Sequence, residues 1–372
     1  MRVAIVAECF LPAQNGVTNS VLRVVDELER NHITSMVIAP GPGPTECGAS
    51  RVARVPGVKL PFYRDLSVAL PNDRMRAALE EFEPDVVHLA APAVLGMMAM
   101  REARRMGIPI VSVYQTDYAG FASRYRARGI APIVWRLLRT LHASVDLTLA
   151  PSTSALWQLQ HRGIERAVLW GRGVDLDRFN PRHRNELLHR RLAPHGDVLV
   201  GYVGRLAREK RVELLAHAEV PRARLVVVGD GPDRRRLERK LSDAAFFGWQ
   251  TGVELSQAIA SLDVFVHTGA DETFCQGVQE ALAAGVPVVA PARGGPLDLV
   301  RHRDNGYLYP PDDTHQLRGA VGRLVERASL RRMMGAAARR SVEGHGWDVL
   351  GRELIAHYQH VLGRRVRPRR VA

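Results

Sequence analysis

A chain of 372 residues has room for two domains of ordinary size, each with its own core. Its 46% hydrophobic and 24% charged residues are those of a globular protein, and no apolar run reaches the roughly 20 residues that span a bilayer, so a membrane-crossing helix is excluded. Cys9, Cys47 and Cys275 are odd in number and widely spaced, which excludes a disulfide framework or a zinc site and fits a reducing, cytoplasmic setting. The 52 basic and 39 acidic residues give a net charge of +13, yet only Lys59, Lys210 and Lys240 are lysines. An Arg-rich composition of this kind follows from base composition as readily as from an anionic partner, so the placement of the charges must decide.

The run Arg2–Ala7 is too short for a signal-peptide core and meets Glu8 without a cleavage pattern, which predicts a buried first strand. Further strands are expected at 35–39, 51–55, 86–89, 110–114, 147–150 and 167–170, separated by segments of helical period such as 21–29 and 93–105. The Gly41-Pro42-Gly43-Pro44 run reads as a loop, since proline removes the amide donors that a phosphate cradle needs. After Gly171–Asp175 the polar stretch 177–196, with Pro181 and Pro194, lacks alternation and reads as a linker. The strand pattern then resumes at 198–204, 223–229, 245–248, 263–268, 286–290 and 306–309. The class is α/β, in two domains: residues 1–172, and 173–348. An amphipathic helix is expected at 349–362, followed by a basic tail at 363–372.

Chemistry concentrates at strand-to-helix junctions, where parallel sheets bind ligands. The segment from Asp271 to Glu280 places two carboxylates, Glu272 and Glu280, across the start of a helix. Eight helical residues rise about 12 Å, whereas a retaining glycosidase holds its carboxylates about 5 Å apart, so these two acids have separate tasks. Either they grip two parts of a long ligand or they are an N-terminal helix acid and a solvated one. Gly204-Arg205 and Lys210 follow a strand and supply two cations five residues apart, suited to a diphosphate. Gly16 follows the first strand and opens a helix that Thr18, Asn19 or Ser20 can cap. The turns at Gly229-Asp230-Gly231-Pro232 and Phe247-Gly248-Trp249 can line a nucleotide or serve simply as turns.

These motifs, taken with Gly173-Val174-Asp175, Phe179 and Pro181, resemble the retaining glycosyltransferases of family four over essentially the whole chain. The resemblance implies a GT-B fold: two facing Rossmann-like domains with parallel sheets and an active-site cleft between them. It implies that Arg205 and Lys210 bind the donor diphosphate, that Glu272 and the backbone of Phe274, Cys275 and Gln276 hold the donor sugar, and that Glu280 grips the ribose. The turns holding Gly231, Phe247 and Trp249 would flank the base, and the last helix would return to the first domain. Where many members carry His, this chain has Asp117 within Gln115-Thr116-Asp117-Tyr118. That stretch is similar to GDP-mannose-dependent α-mannosyltransferases that act on a glucuronosyl-diacylglycerol or a related lipid. The implied mechanism is front-face, with no metal and no cofactor beyond the sugar-nucleotide substrate.

Arg124, Arg126 and Arg128, with Trp135, Arg136 and Arg139, then combine basic residues with an apolar face. This composition suits the anionic inner surface of a membrane and equally an amphipathic helix packed on the sheet. A nucleotide-sugar epimerase or hydrolase, or a transferase using a UDP-sugar, is the alternative within the fold. A nucleic-acid partner is not expected, because no recognised nucleic-acid-binding motif is present.

Overall fold

The computed structural model describes residues 1–13, 15–60, 63–70, 73–115 and 131–366. The chain forms two compact units, the first comprising Met1–Arg172 with the C-terminal segment from Trp347, and the second Gly173–Gly346.

The first unit contains β1 (Arg2–Ala7), α1 (Gly16–Arg30), β2 (Thr34–Pro40), β3 (Glu46–Cys47), β4 (Ser50–Val55), β5 (Gly57–Leu60), β6 (Tyr63–Ala69), α2 (Arg74–Phe82) and β7 (Val86–Ala90). It continues with α3 (Val94–Arg105), β8 (Ile110–Val113), α4 (Ala131–Ala143), β9 (Leu147–Ala150), α5 (Thr153–His161) and β10 (Ala167–Leu169). Eight strands form one sheet in the order β10-β9-β8-β7-β1-β2-β4-β3, parallel except at the short β3 edge, while β5 and β6 pair separately. Near-continuous apolar runs such as Val3–Ala7 are what a sheet covered on both faces requires. One face packs against α1 and the C-terminal helix through Val21, Val25, Leu354 and Tyr358. The other packs against α2 and α3 through Leu79, Leu95 and Ala99.

The second unit runs through α6 (Glu186–Leu192), β11 (Val198–Val203), β12 (Ala223–Val228), α7 (Arg234–Lys240), β13 (Ala245–Gly248), α8 (Gly252–Ala260) and β14 (Val264–Val266). It ends with α9 (Gln276–Ala283), β15 (Val288–Pro291), α10 (Pro296–Leu299), β16 (Gly306–Tyr309), α11 (Thr314–Glu326) and α12 (Ala328–Val342). Its six-stranded parallel sheet has the order β13-β12-β11-β14-β15-β16. This is the doubly wound arrangement, whose strand order reverses between β11 and β14, and ligands bind beyond the carboxyl ends of the strands at that reversal.

Two expectations fail on local physics. The polar stretch 177–196 is not a linker. Arg184 and His189 both engage Asp263, at 3.1 and 2.8 Å, Phe179 is buried, and Asn185 caps α6 by accepting from Leu187 and Leu188 N–H. Nor does Thr18, Asn19 or Ser20 cap α1. Asn15 Oδ1 accepts from Val17 and Thr18 N–H at 2.9 Å, and the helix has already begun at Gly16.

The chain returns to the first unit as α13 (Trp347–Val366), longer at both ends than the sequence suggests. Trp170, fully buried, donates its indole N–H to Leu350 O at 3.0 Å, and Tyr358 Oη lies 2.6 Å from His88 Nδ1 on β7. Buried polar contacts of this kind fix where the helix lies along the sheet.

Candidate active site

The loops after β11 and β12 interlock backbone to backbone. Gly204 N donates to Val228 O at 3.0 Å and Leu206 N to Asp230 O at 2.8 Å, and any side chain at Gly229 would overlap the Gly204 carbonyl. From this anchored turn the chain makes a short 3₁₀ helix, Arg208–Lys210, which ends where Arg211 adopts a left-handed conformation (φ 52°). Lys210 is thereby turned toward the end of β14. Its ammonium donates to Glu272 Oε1 at 2.5 Å, and its own carbonyl accepts from Thr268 Oγ1 at 2.7 Å. Arg205 pairs with Glu209, whose side chain is only 8% exposed, while the Arg205 side chain is 47% exposed.

Glu272 sits on a loop clamped from outside. Gly295 N donates to Glu272 O at 2.9 Å, and a Cβ at Gly295 would collide with the Phe274 carbonyl. The loop then turns through Cys275, which holds a left-handed conformation (φ 89°) to open α9. That conformation is costly for a non-glycine residue and persists only where its surroundings enforce it. Gln276 Nε2 donates to Gly173 O at 3.3 Å, tying the helix start to the beginning of the unit. Glu280 lies one turn further along α9 and is half-buried.

The electrostatics are those of a preset ionic cluster. Burial alone would raise the Glu272 pKa, but the charge of Lys210, with the contact from His267, holds the carboxyl well below the usual range. Burial likewise opposes charge on Lys210, and Glu272 more than offsets it, so the ammonium's pKa is raised. His267, buried at the end of β14, would be kept neutral by burial, but the Cys275 sulfur and the Glu272 carboxylate beside it push its pKa up to about 10. Among the described residues one group offers metal-ligand geometry: His267, Glu272 and Cys275 present one ligand atom each within 4.8 Å of one another. The carboxylate oxygen nearest His267 is already taken by the Lys210 ammonium, a fixed cation that any metal would have to displace.

The structure therefore brings Arg205, Lys210, Glu272, Phe274, Cys275 and Gln276 to the strand-order reversal of one sheet. Gly204 and Gly231 lie in the interlocked loops there, and Phe247 is packed partly on the core while Trp249 is exposed. Gly16 belongs to the first unit, where its carbonyl accepts from the Arg172 guanidinium. Asp117 and Arg124, Arg126 and Arg128 lie outside the described residues. Trp135 is a correction to the membrane-face reading. It is buried, stacked on Tyr114 at 6.4 Å between ring centroids and covered by Arg162, because the apolar side of α4 faces the core. Arg136 and Arg139 do face outward, in company with exposed Ile133 and Leu137.

Sequence reasoning missed four polar residues, three at strand ends and one at a helix start. His267 and Thr268 follow the apolar run of β14, and Asn15 caps α1. Glu8 follows β1 and accepts from Ala93, Leu95 and Gly96 N–H at 2.6, 3.2 and 2.8 Å, capping α3. A polar residue closing an apolar strand was the available signal for Glu8, His267 and Thr268, and an Asn before a helical run for Asn15.

A doubly wound nucleotide-type sheet with a cation pair and two separated glutamates at its reversal point defines a glycosyltransferase of the GT-B class, and the comparisons agree. The family model described as "Glycosyl transferases group 1" matches residues 184–341, and that described as "Glycosyltransferase Family 4" matches residues 14–178. The chain is 49% identical to a GDP-mannose-dependent alpha-mannosyltransferase of Mycobacterium tuberculosis, over 98% of both chains. It is 28% identical to a GDP-mannose-dependent alpha-(1-6)-phosphatidylinositol dimannoside mannosyltransferase of the same species, over 96% of this chain and 95% of that one. Sucrose-phosphate synthase from Thermosynechococcus elongatus shares its fold, with a TM-score of 0.83 at 20% identity over 98% of this chain and 99% of that one. The chain belongs to the family-four, group 1 glycosyltransferases.

Proposed function

We propose that the protein transfers mannose from GDP-mannose, with retention of configuration, to a glucuronosyl-diacylglycerol or a related glycolipid, without a metal. The observation that carries the transferase chemistry is the Lys210–Glu272 pair at the sheet's reversal point. An ammonium has three N–H donors, so Lys210 can keep one on Glu272 and turn the others to a phosphate oxygen. Arg205, paired with Glu209 yet half exposed, offers further N–H groups of a planar fork to the same diphosphate. Together they would stabilise the charge that grows on the nucleotide as the bond between the sugar's anomeric carbon and the phosphate oxygen breaks. The acceptor oxygen bonds to that carbon on the same face, and its proton passes to a phosphate oxygen. Glu272 and the backbone at Phe274–Gln276 would hold sugar hydroxyls, and Glu280 the ribose.

Mannose is supported by the 49% identical relative named for GDP-mannose. A lipid acceptor is supported by the more distant relative named for a phosphatidylinositol dimannoside. Among the described residues no helix is long and apolar enough to cross a membrane. The exposed Ile133 and Leu137, beside Arg136 and Arg139 on α4, suit attachment to an anionic surface. With glucuronosyl-diacylglycerol in vesicles, GDP-mannose should yield an α-linked mannosyl lipid by NMR, faster on anionic than on neutral vesicles. A β-linked product would refute retention, and free mannose formed equally fast without acceptor would favour the hydrolase alternative.

A further inference from the structure

The strand beneath the donor cluster delivers two consecutive residues to the Lys210–Glu272 pair. Thr268 holds the Lys210 carbonyl at 2.7 Å, and the His267 ring faces the carboxylate, with Nε2 3.4 Å from Glu272 Oε1. His267 is buried and held from several sides. Its N–H donates to Val289 O at 2.8 Å, its carbonyl accepts from the Tyr309 hydroxyl at 3.1 Å, and its ring lies nearly parallel to that of Tyr202, 6.3 Å away. Among the described residues Nε2 has no well-formed hydrogen bond, its approach to Glu272 being long at 3.4 Å, although a buried polar atom ordinarily has one. Space is kept open beside it: a side chain at Gly269 would lie 3.1 Å from both His267 Nε2 and Glu272 Oε1. A fixed ring with an unsatisfied nitrogen, aimed at the carboxylate of the donor cluster, is arranged for contact that completes when the site is filled.

We propose that His267 is a positioning residue for the donor sugar. Its imidazole N–H joins the Lys210 ammonium in fixing the Glu272 carboxylate, leaving the other carboxylate oxygen to accept from hydroxyls of the hexose. His267 thus serves recognition of the sugar and not of the nucleotide. This rests on the reading that Glu272 contacts the donor sugar.

The experiment compares GDP and GDP-mannose binding by calorimetry in the wild type, His267→Phe, His267→Gln and Glu272→Gln, with steady-state kinetics beside it. His267→Phe should bind GDP within twofold of the wild type, which also reports a folded second unit, but lose about tenfold or more in GDP-mannose affinity, the scale of one hydrogen bond to a charged group. His267→Gln, which keeps an N–H, should recover part of that loss. Equal weakening of both ligands, or no loss for GDP-mannose, overturns the proposal. If His267→Phe fails to fold, His267→Gln decides by the same criterion. Glu272→Gln separates the two readings: if it binds GDP-mannose as well as the wild type does, the sugar role of Glu272 fails. If it loses GDP-mannose selectively while the His267 variants do not, only the role of His267 fails.

Discussion

Lys210→Met is expected to lower kcat about 100- to 1,000-fold, the usual effect of removing one preorganised donor from a developing negative charge. The mutation deletes the ammonium that bridges Glu272 and, on the proposed reading, the leaving diphosphate, so the loss should fall on kcat more than on KM. A stability effect accompanies it. Removing one partner of a buried ion pair costs about 3–5 kcal/mol, and this pair retains 25% and 15% side-chain exposure, so the lower end applies. His267 still faces the stranded carboxylate and softens the penalty. The double change Lys210→Met with Glu272→Gln should therefore unfold at a higher temperature than Lys210→Met alone while remaining inactive. Kinetics and thermal unfolding of the two variants check this, and wild-type kcat in Lys210→Met would refute the assignment.

The first unit should lose stability steeply below about pH 6.5. His88 and His142 are buried, each with a pKa pushed by burial from 6.5 down to about 4. His88 is bonded to Tyr358 on α13, and His142 Nδ1 lies 3.1 Å from Thr148 Oγ1. The folded pKa lies below the unfolded one, so between these values the unfolded chain binds the extra proton. Stability is then complete above pH 6.5 and falls by about 1.4 kcal/mol per pH unit for each histidine on the way to pH 4. Glu8 acts in the opposite sense, because burial raises its pKa against three backbone hydrogen bonds, and it offsets part of the loss at the acid end. Denaturant unfolding across this range should show the slope, and His142→Gln should reduce it by about half. An unchanged slope would mean that the ring is accessible to protons in the folded state.

The α/β alternation was legible because buried parallel strands need apolar runs on both faces, and each of the thirteen expected strands lies at its observed place. The β5–β6 hairpin was not, since its runs carry Lys59, Arg64 and Asp65 among the apolar residues. Segment 177–196 misled for a related reason: its helix is held by Asn caps and an Arg–His–Asp263 cluster, and polar anchoring has no periodicity to read. Trp135 stayed open between two readings because an amphipathic helix looks alike whether its apolar side meets a sheet or a lipid, and only the position of Tyr114 decides. Within the site, Lys210 stood out by its scarcity and Glu272 by its spacing from Glu280. The contact between them crosses 62 residues, and the role of His267 depends on that contact, so neither could be read locally.

The most direct test of the account is thermal unfolding with GDP, UDP and ADP, each at about 100 times its dissociation constant where it binds. The account predicts that GDP stabilises the wild type by roughly 2.7 kcal/mol and that at the same GDP concentration Lys210→Met shows a smaller response. Stabilisation by UDP alone would contradict GDP-mannose as the donor, and an undiminished GDP response in Lys210→Met would remove Lys210 from the diphosphate site.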